Sequence, residues 1–277
     1  MTTTHKGATK TTADEEAPTL SKMLTRAVQN STLSVPSSWH QGRTVYGGLT
    51  AALALTAGRN VLDDSLPLRA AQFAYTAAVD HPVTTTAQVL NRGKSSANIA
   101  ARCLSGDTVA LNSHLLFARN RASSVSHSLL PAPTVPVAED CPPALRETDP
   151  RPNCAANFDI RLAGAHRILS GQPQDPTLLA WVRHLDATAV QPEIALVAIA
   201  DSLPPAALVA VNTIAPISTV TWSIHLTRNT PIDPNGWFLI KARSVVAGDG
   251  FSFQNQTIWD TDGALLATAS QTVAVYA

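Results

Sequence analysis

The chain has 277 residues, with 20 basic and 20 acidic side chains and therefore no net charge. This balance gives no support for a nucleic-acid or anionic-membrane partner, and the length allows two ordinary domains or one large one. Only 14% of the residues are charged, below the usual quarter. The low charge indicates extensive buried surface and favours self-association into a homo-oligomer.

The first 18 residues, MTTTHKGATKTTADEEAP, are polar and lack the apolar core of a secretory signal. We expect them to form a disordered tail. No later apolar run approaches the roughly 20 residues that a membrane span needs. The three cysteines, Cys103, Cys141 and Cys154, have neither zinc-ligand nor redox spacing. A cytoplasmic protein without disulfides is therefore the simplest expectation.

Residues 39–55, WHQGRTVYGGLTAALAL, look at first like a phosphate loop that runs into a helix. Gly42 and Gly47 have the spacing of the two glycines in a Walker-type loop. The next positions hold Gly48 and Leu49, where such a loop needs a lysine and a hydroxyl. The sequence therefore excludes a nucleotide site of this kind and predicts a helix from residue 47 to 60 that begins with two glycines.

A Pro-rich stretch at residues 123–153 reads as a linker between the segments 19–122 and 154–277. In each segment a helix-like run precedes several strand-like runs, and Gly93 and Gly106 have the same spacing as Gly250 and Gly263. The pattern predicts an α+β fold of two repeats, each with an antiparallel sheet curved around one central helix. On the glycine register, His114 of the first repeat matches Gln271 of the second.

Three polar side chains lie on segments that are otherwise apolar. Asp201 continues the apolar stripe of a helix that begins at Pro192, at an end where the helix dipole disfavours an anion. Gln271 is the one polar side chain on the apolar face of the last strand. Thr219 begins the strand STVTWSIHL, but strict alternation puts it on the polar face, and this strand alone does not single it out. The simpler alternatives are an aspartate that turns to water and a glutamine with a structural role.

Several familiar sites are missing from the sequence. There is no Gly-x-Ser-x-Gly elbow, no His-Glu-x-x-His helix, no Cys/His cluster and no Gly-x-Gly-x-x-Gly after a strand. We therefore expect neither a metal nor a cofactor.

The sequence resembles the acyl-CoA thioesterase II-like family, in which two hotdog folds are fused in one chain. The first half has VYGGLTAAL where the family has an aromatic residue or Val-Phe before Gly-Gly. The second half has AIADSLPP, ISTVTW and LLATASQ at the positions of the family's Asp, Thr and Gln, which fall on Asp201, Thr219 and Gln271. The resemblance covers roughly residues 20–277 apart from the linker, and it implies a double hotdog fold.

The resemblance also implies a chemistry, the hydrolysis of an acyl-CoA or related acyl thioester by a bound water. Asp201 would take the proton from the water as general base, and Thr219 and Gln271 would hold the water by hydrogen bonds. A backbone N–H of Gly47, Gly48 or Leu49 would stabilise the oxyanion. Alternatively, the two glycines only permit a tight turn and close helix packing.

Two features depart from the family pattern and leave the acyl-chain preference open. Thr221 and Trp222 stand where the family commonly has an Asp-His pair, and the chain ends in QTVAVYA without the frequent arginine. A non-catalytic double hotdog that binds an acyl or polyketide-like ligand, and a lyase or cyclase of secondary metabolism, remain as alternatives. A hotdog hydratase ranks last, because its Asp/His signature on the central helix is missing.

Overall fold

The computed structural model describes residues 18–30, 32–62, 66–145, 149, 151–213, 215–227 and 231–276. The expected disordered tail lies outside the described residues except for Pro18. Both central helices predicted from the sequence are confirmed, as α2 (Gly47–Asn60) and α3 (Pro192–Ala200). A shorter helix, α1 (Leu20–Gln29), precedes them. None of these described helices is long and apolar enough to cross a membrane.

The strands are long and antiparallel in both halves. The first half contributes a small hairpin, β1 (His40–Gln41) with β2 (Thr44–Val45), and then β3 (Leu68–Tyr75), β4 (Val83–Arg92), β5 (Ser96–Ser105) and β6 (Thr108–Ala118). The second half contributes β7 (Phe158–Leu162), β8 (Thr177–His184), β9 (Ile217–Leu226), β10 (Phe238–Gly248), β11 (Phe251–Trp259) and β12 (Leu265–Val275).

Ten of these strands form one continuous sheet in the order β4-β5-β6-β3-β9-β12-β11-β10-β8-β7. The two halves join where β3 pairs with β9, and Phe73 stacks there on Trp222 with ring centroids 5.1 Å apart. One buried apolar cluster contains α2, α3 and the facing side chains of both halves. The expected α+β double hotdog is thus confirmed.

The helices α2 and α3 pack against each other in opposite directions. At one end, the Tyr46 hydroxyl before α2 donates to the carbonyl of Ala198 near the end of α3, at 2.7 Å. At the other end, Arg59 in the last turn of α2 forms an ion pair with Glu193 in the first turn of α3. Each end of the helix pair therefore brings the N-terminus of one helix to the C-terminus of the other.

The match between His114 and Gln271 is wrong. Gln271 is buried, whereas His114 is exposed on the outer face of the sheet and Leu115 takes the inward position in the first half. The reason lies in the loops of the two hairpins. Ser105 pairs with Thr108, so Gly106 is the first of two loop residues. Asp260 bonds to Ala264, so Gly263 is the last of three loop residues. Aligning the two glycines therefore shifts the register by one residue, which reverses the face of every side chain.

The linker packs on the outer face of the second-half sheet over much of its described length. Ala138 and Cys141 lie in a buried cluster with Trp181, Leu239 and Trp259. Three indole N–H groups donate to this stretch of chain: Trp181 to the Pro136 carbonyl (2.9 Å), Trp259 to the Leu130 carbonyl (2.9 Å) and Trp237 to the Glu139 carboxylate (3.0 Å). The linker is thus anchored by two tryptophans of the sheet that it covers and by Trp237, which precedes β10.

Candidate active site

Asp201 lies at the C-terminal end of α3, opposite the N-terminal end of α2. Pro192 occupies the first turn of α3, and Asp201 is the C-cap residue. The Gly48 N–H donates a hydrogen bond to the Asp201 carboxylate. The dipole of α3 disfavours an anion at this position, while the N-terminus of α2 favours one. The contact between the two helices therefore explains how a carboxylate can end an apolar stripe.

Gly47 and Gly48 allow the two helices to come this close. A Cβ on Gly47 would lie 2.7 Å from Asp201 Oδ2, and a Cβ on Gly48 would lie 2.4 Å from the Ala198 carbonyl oxygen. Both distances are shorter than van der Waals contact. A side chain on Gly48 would meet the backbone of α3 and push the helices apart, and a side chain on Gly47 would displace the Asp201 carboxylate. Close helix packing, which the sequence left as an alternative, is therefore one role of the glycines.

Gln271 links Asp201 to a chain of buried amides. Its Nε2 donates to Asp201 Oδ1 at 2.8 Å, and its Oε1 accepts from Gln254 Nε2. The Oε1 of Gln254 in turn accepts from the Ala206 N–H at 2.9 Å. Because each amide oxygen is occupied by a donor, the Gln271 amide is oriented with its NH₂ group toward the carboxylate.

Thr219 lies on the inner face of the sheet, contrary to the strict alternation of its strand. The register between β9 and β12 shifts between Thr272 and Val273, so that Val273 pairs with Thr219 and Thr272 pairs with Thr221. Such a β-bulge inserts one residue and reverses the side-chain direction beyond it. Val273 is fully buried, and its partner Thr219 lines the same cavity as Asp201 and Gln271. The bulge therefore brings Thr219 to the candidate site.

Four residues of the site were not singled out from the sequence. Tyr75, at the end of β3, donates from its hydroxyl to the Gly47 carbonyl at 3.1 Å. Tyr46, at the N-cap of α2, is buried and holds Ala198. Gln254 and Gln256 are buried in β11, and Gln256 Nε2 donates to the carbonyl of Ala200 at 3.2 Å. The alternation of the two glutamines in FSFQNQT was the available signal, because amides on the buried face of a strand require partners.

Two cavities of different character meet at Asp201. The larger one has a volume of about 340 Å³, and its lining includes Gly47, Thr50, Tyr75, Thr219 and Gln271. The second has a volume of about 100 Å³ and is lined largely by apolar side chains of β7, β8 and the linker. Leu49, the third proposed oxyanion residue, is fully buried and lines neither cavity.

Burial raises the pKa of Asp201 to about 7, and the hydrogen bonds from Gln271 and Gly48 act in the opposite direction. A carboxylate whose pKa lies near neutrality can exchange a proton with a reacting water, since efficient acid–base catalysts titrate near the working pH. Within the described part of the chain, no group of three His, Cys, Asp or Glu side chains is arranged to hold a metal ion.

Comparison with known families assigns both halves of the chain. Residues 35–118 match the acyl-CoA thioesterase N-terminal domain, and residues 138–275 match the acyl-CoA thioesterase C-terminal domain. The chain belongs to the acyl-CoA thioesterase family. The resemblance inferred from the sequence is thereby confirmed. Of the candidate residues, Gly47 and Gly48 lie in the part that matches the N-terminal domain, and Asp201, Thr219 and Gln271 lie in the part that matches the C-terminal domain.

Solved structures agree on the fold of this chain. A hot dog protein of unknown function from Alicyclobacillus acidocaldarius is 24% identical, with a TM-score of 0.76 over 88% of this chain and 91% of that one. An acyl-CoA thioesterase II from Mycobacterium marinum is 17% identical, with a TM-score of 0.67 over 84% of this chain and 89% of that one. No curated protein sequence matches the chain significantly. At these identities, the structural similarity supports the fold alone.

Proposed function

We propose that the chain hydrolyses an acyl-CoA or a related acyl thioester to the free acid and the thiol, with Asp201 as general base. The observation that carries this proposal is the environment of the Asp201 carboxylate. It opens on a cavity, accepts hydrogen bonds from Gln271 and Gly48, and has a pKa of about 7. A base of this kind is what activation of water at neutral pH requires.

In the proposed reaction, a water lies in the larger cavity between Asp201 and the hydroxyl of Thr219. Asp201 removes a proton as the water oxygen attacks the thioester carbonyl carbon, and Thr219 and Gln271 fix the line of attack. The tetrahedral intermediate collapses with cleavage of the C–S bond. The departing thiolate then takes the proton from Asp201, which leaves the acid, the thiol and the original carboxylate.

The oxyanion of the intermediate needs a hydrogen-bond donor in the same cavity. Of the three N–H groups considered, the one on Gly48 already donates to Asp201, and Leu49 is buried away from both cavities. Gly47 lines the larger cavity at the N-terminus of α2. We therefore assign the oxyanion contact to the Gly47 N–H and the orientation of the base to the Gly48 N–H.

The test is release of free thiol from a panel of short, medium and long acyl-CoAs by the wild type and by Asp201→Asn. Loss of a general base typically lowers the rate about 10²–10⁴-fold. Asp107→Asn is the matched control, because Asp107 is exposed in the β5–β6 turn and lines neither cavity. We expect it to keep wild-type activity.

The folding of each variant is checked by circular dichroism. A well-folded wild type that releases no thiol from any acyl-CoA would contradict the hydrolase proposal. If it still binds acyl-CoA, the result would favour a non-catalytic acyl-binding protein.

A further inference from the structure

The two cavities that meet at Asp201 have linings that suit different parts of a thioester. Hydroxyl and amide side chains are prominent in the larger cavity, among them Thr44, Thr50, Ser218 and Thr219. The smaller cavity, which we call the apolar pocket, is lined by Phe158, Ile160, Leu162, Ile168 and Leu178 among others. An apolar chain is stabilised in the second environment and a polar head group in the first.

One end of the apolar pocket lies next to the base. The Phe158 ring packs against the Tyr46 ring with centroids 5.7 Å apart, and the Tyr46 hydroxyl is bonded to Ala198, one helical turn before Asp201. Along β7, Phe158, Ile160 and Leu162 all line the pocket. Asp201 lines the pocket as well, so the pocket lies between the reacting carboxylate and β7.

The far part of the pocket is bounded by β8 and the linker. Leu178 and Ala180 of β8 are buried with the core cluster that contains α3. Across from them, Ala144 and Leu145 of the linker line the pocket. The Arg167 guanidinium donates to the Ala144 carbonyl at 2.6 Å, and the Ala144 N–H donates to β7. The linker wall is thus held in place from both sides.

The volume of the pocket limits the size of what it can hold. At about 100 Å³, it is two-thirds the size of an engineered 150 Å³ cavity that binds the six-carbon ring of benzene. The same proportion gives roughly four carbons for this pocket. A much longer chain would have to displace buried side chains of the lining such as Leu178, and a well-packed core resists such a displacement.

We propose that the enzyme selects short acyl chains, with roughly four carbons beyond the thioester carbonyl, and that Leu178 sets this limit. The acyl chain occupies the apolar pocket, the thioester carbonyl lies at Asp201, and the polar part of the thiol lies in the larger cavity. This inference rests on the proposed thioester hydrolysis and adds the substrate class.

The test compares kcat/KM for acyl-CoAs from two to sixteen carbons in the wild type and in Leu178→Ala. The deletion lengthens the pocket, and one methylene in an apolar pocket changes specificity about 10-fold or more. We expect the ratio of activities on an eight-carbon and a four-carbon chain to rise by at least that factor. Leu55→Ala makes the same deletion in α2 away from both cavities, so it should lower stability and leave the ratio unchanged.

A second variant tests the pocket by filling it. Ala180→Val adds two methyl groups to the pocket wall, and we expect the preference to move toward shorter chains. It also preserves a readout if Leu178→Ala fails to fold. A wild type that prefers long chains, or variants that both keep the wild-type profile, would overturn the inference while leaving the hydrolysis proposal intact.

Binding separates this inference from the proposed function. Dissociation constants of the same acyl-CoA series with Asp201→Asn, measured by calorimetry, do not require turnover. Tightest binding of short chains, shifted to longer ones by adding Leu178→Ala, supports the pocket even if no thiol is ever released. Binding that strengthens steadily to sixteen carbons in both proteins contradicts it.

Discussion

At the scale of single residues, Asp201 is subject to opposing effects on its charge. Burial disfavours the carboxylate, and the hydrogen bonds from Gln271 and Gly48 favour it. The balance is a pKa of about 7 instead of the usual value near 4. A group whose charge is supported by neutral donors alone remains able to accept a proton, which a tight ion pair with a cation would prevent.

We expect kcat/KM to rise with pH through about 7, because the base acts only when it has lost its proton. The hydrogen bond from Gln271 lowers the pKa of Asp201. Gln271→Met removes that bond, so the pH at which kcat/KM of the variant rises should be higher than in the wild type, in addition to any loss of rate.

Gln256→Met is the matched control for this profile. Gln256 is also a buried glutamine of the same sheet, but its amide donates to the Ala200 carbonyl and not to Asp201. The pH at which kcat/KM of Gln256→Met rises should equal that of the wild type. A wild-type kcat/KM that rises near pH 4 instead would contradict the raised pKa of Asp201.

Some residues of the site could be predicted from the sequence, and others could not. Asp201 and Gln271 were visible because each interrupts an apolar pattern. Thr219 was found only through the family resemblance, because a bulge between Thr219 and Thr221 reverses its direction. Tyr75 acts through a contact with Gly47, which is distant in the chain, and no local pattern encodes such a partner.

At the scale of elements, the packing of α2 on α3 depends on a glycine. In Gly48→Ala the new Cβ would lie 2.4 Å from the Ala198 carbonyl oxygen, a backbone atom that cannot rotate away. We expect a loss of about 1–3 kcal/mol in the free energy of unfolding, despite the better helix propensity of alanine. Displacement of Asp201 should lower activity at the same time. Denaturant unfolding and thiol release measure the two effects.

Gly58→Ala provides the comparison within the same helix. Its Cβ would also lie 2.4 Å from another atom, but that atom is Cδ1 of Leu115, the end of a flexible side chain. The gain in helix propensity can offset the adjustment, so stability and activity should stay near those of the wild type. Equal losses in the two variants would contradict a special role for the glycine at the helix contact.

The linker is an element whose anchoring can be measured separately. Trp259→Phe removes the indole N–H that donates to Leu130, whereas the buried indole N–H of Trp222 has no partner among the described residues. Both changes remove similar volume from buried positions. We expect Trp259→Phe to lose about 1 kcal/mol more than Trp222→Phe, because only the first breaks a hydrogen bond. Thermal or denaturant unfolding of the two variants gives the difference.

At the scale of the whole molecule, the candidate site exists only where the two halves meet. The sequence predicted two repeats with a central helix each, because helix and strand periodicities are local. It did not predict which strands join the halves, here β3 and β9, or that the linker covers the sheet, since such pairings depend on contacts between distant residues. Self-association and a cytoplasmic location stay predictions from composition.

The end of the helix pair away from Asp201 determines how many substrate molecules one chain is expected to bind. There the N-terminus of α3 begins with Pro192, which has no N–H to offer, and Glu193 is paired with Arg59. Two repeats related by duplication could in principle hold two equivalent centres, one at each end of the helices. With an ion pair at one end and Asp201 at the other, each chain is expected to bind a single equivalent of substrate, however many chains assemble.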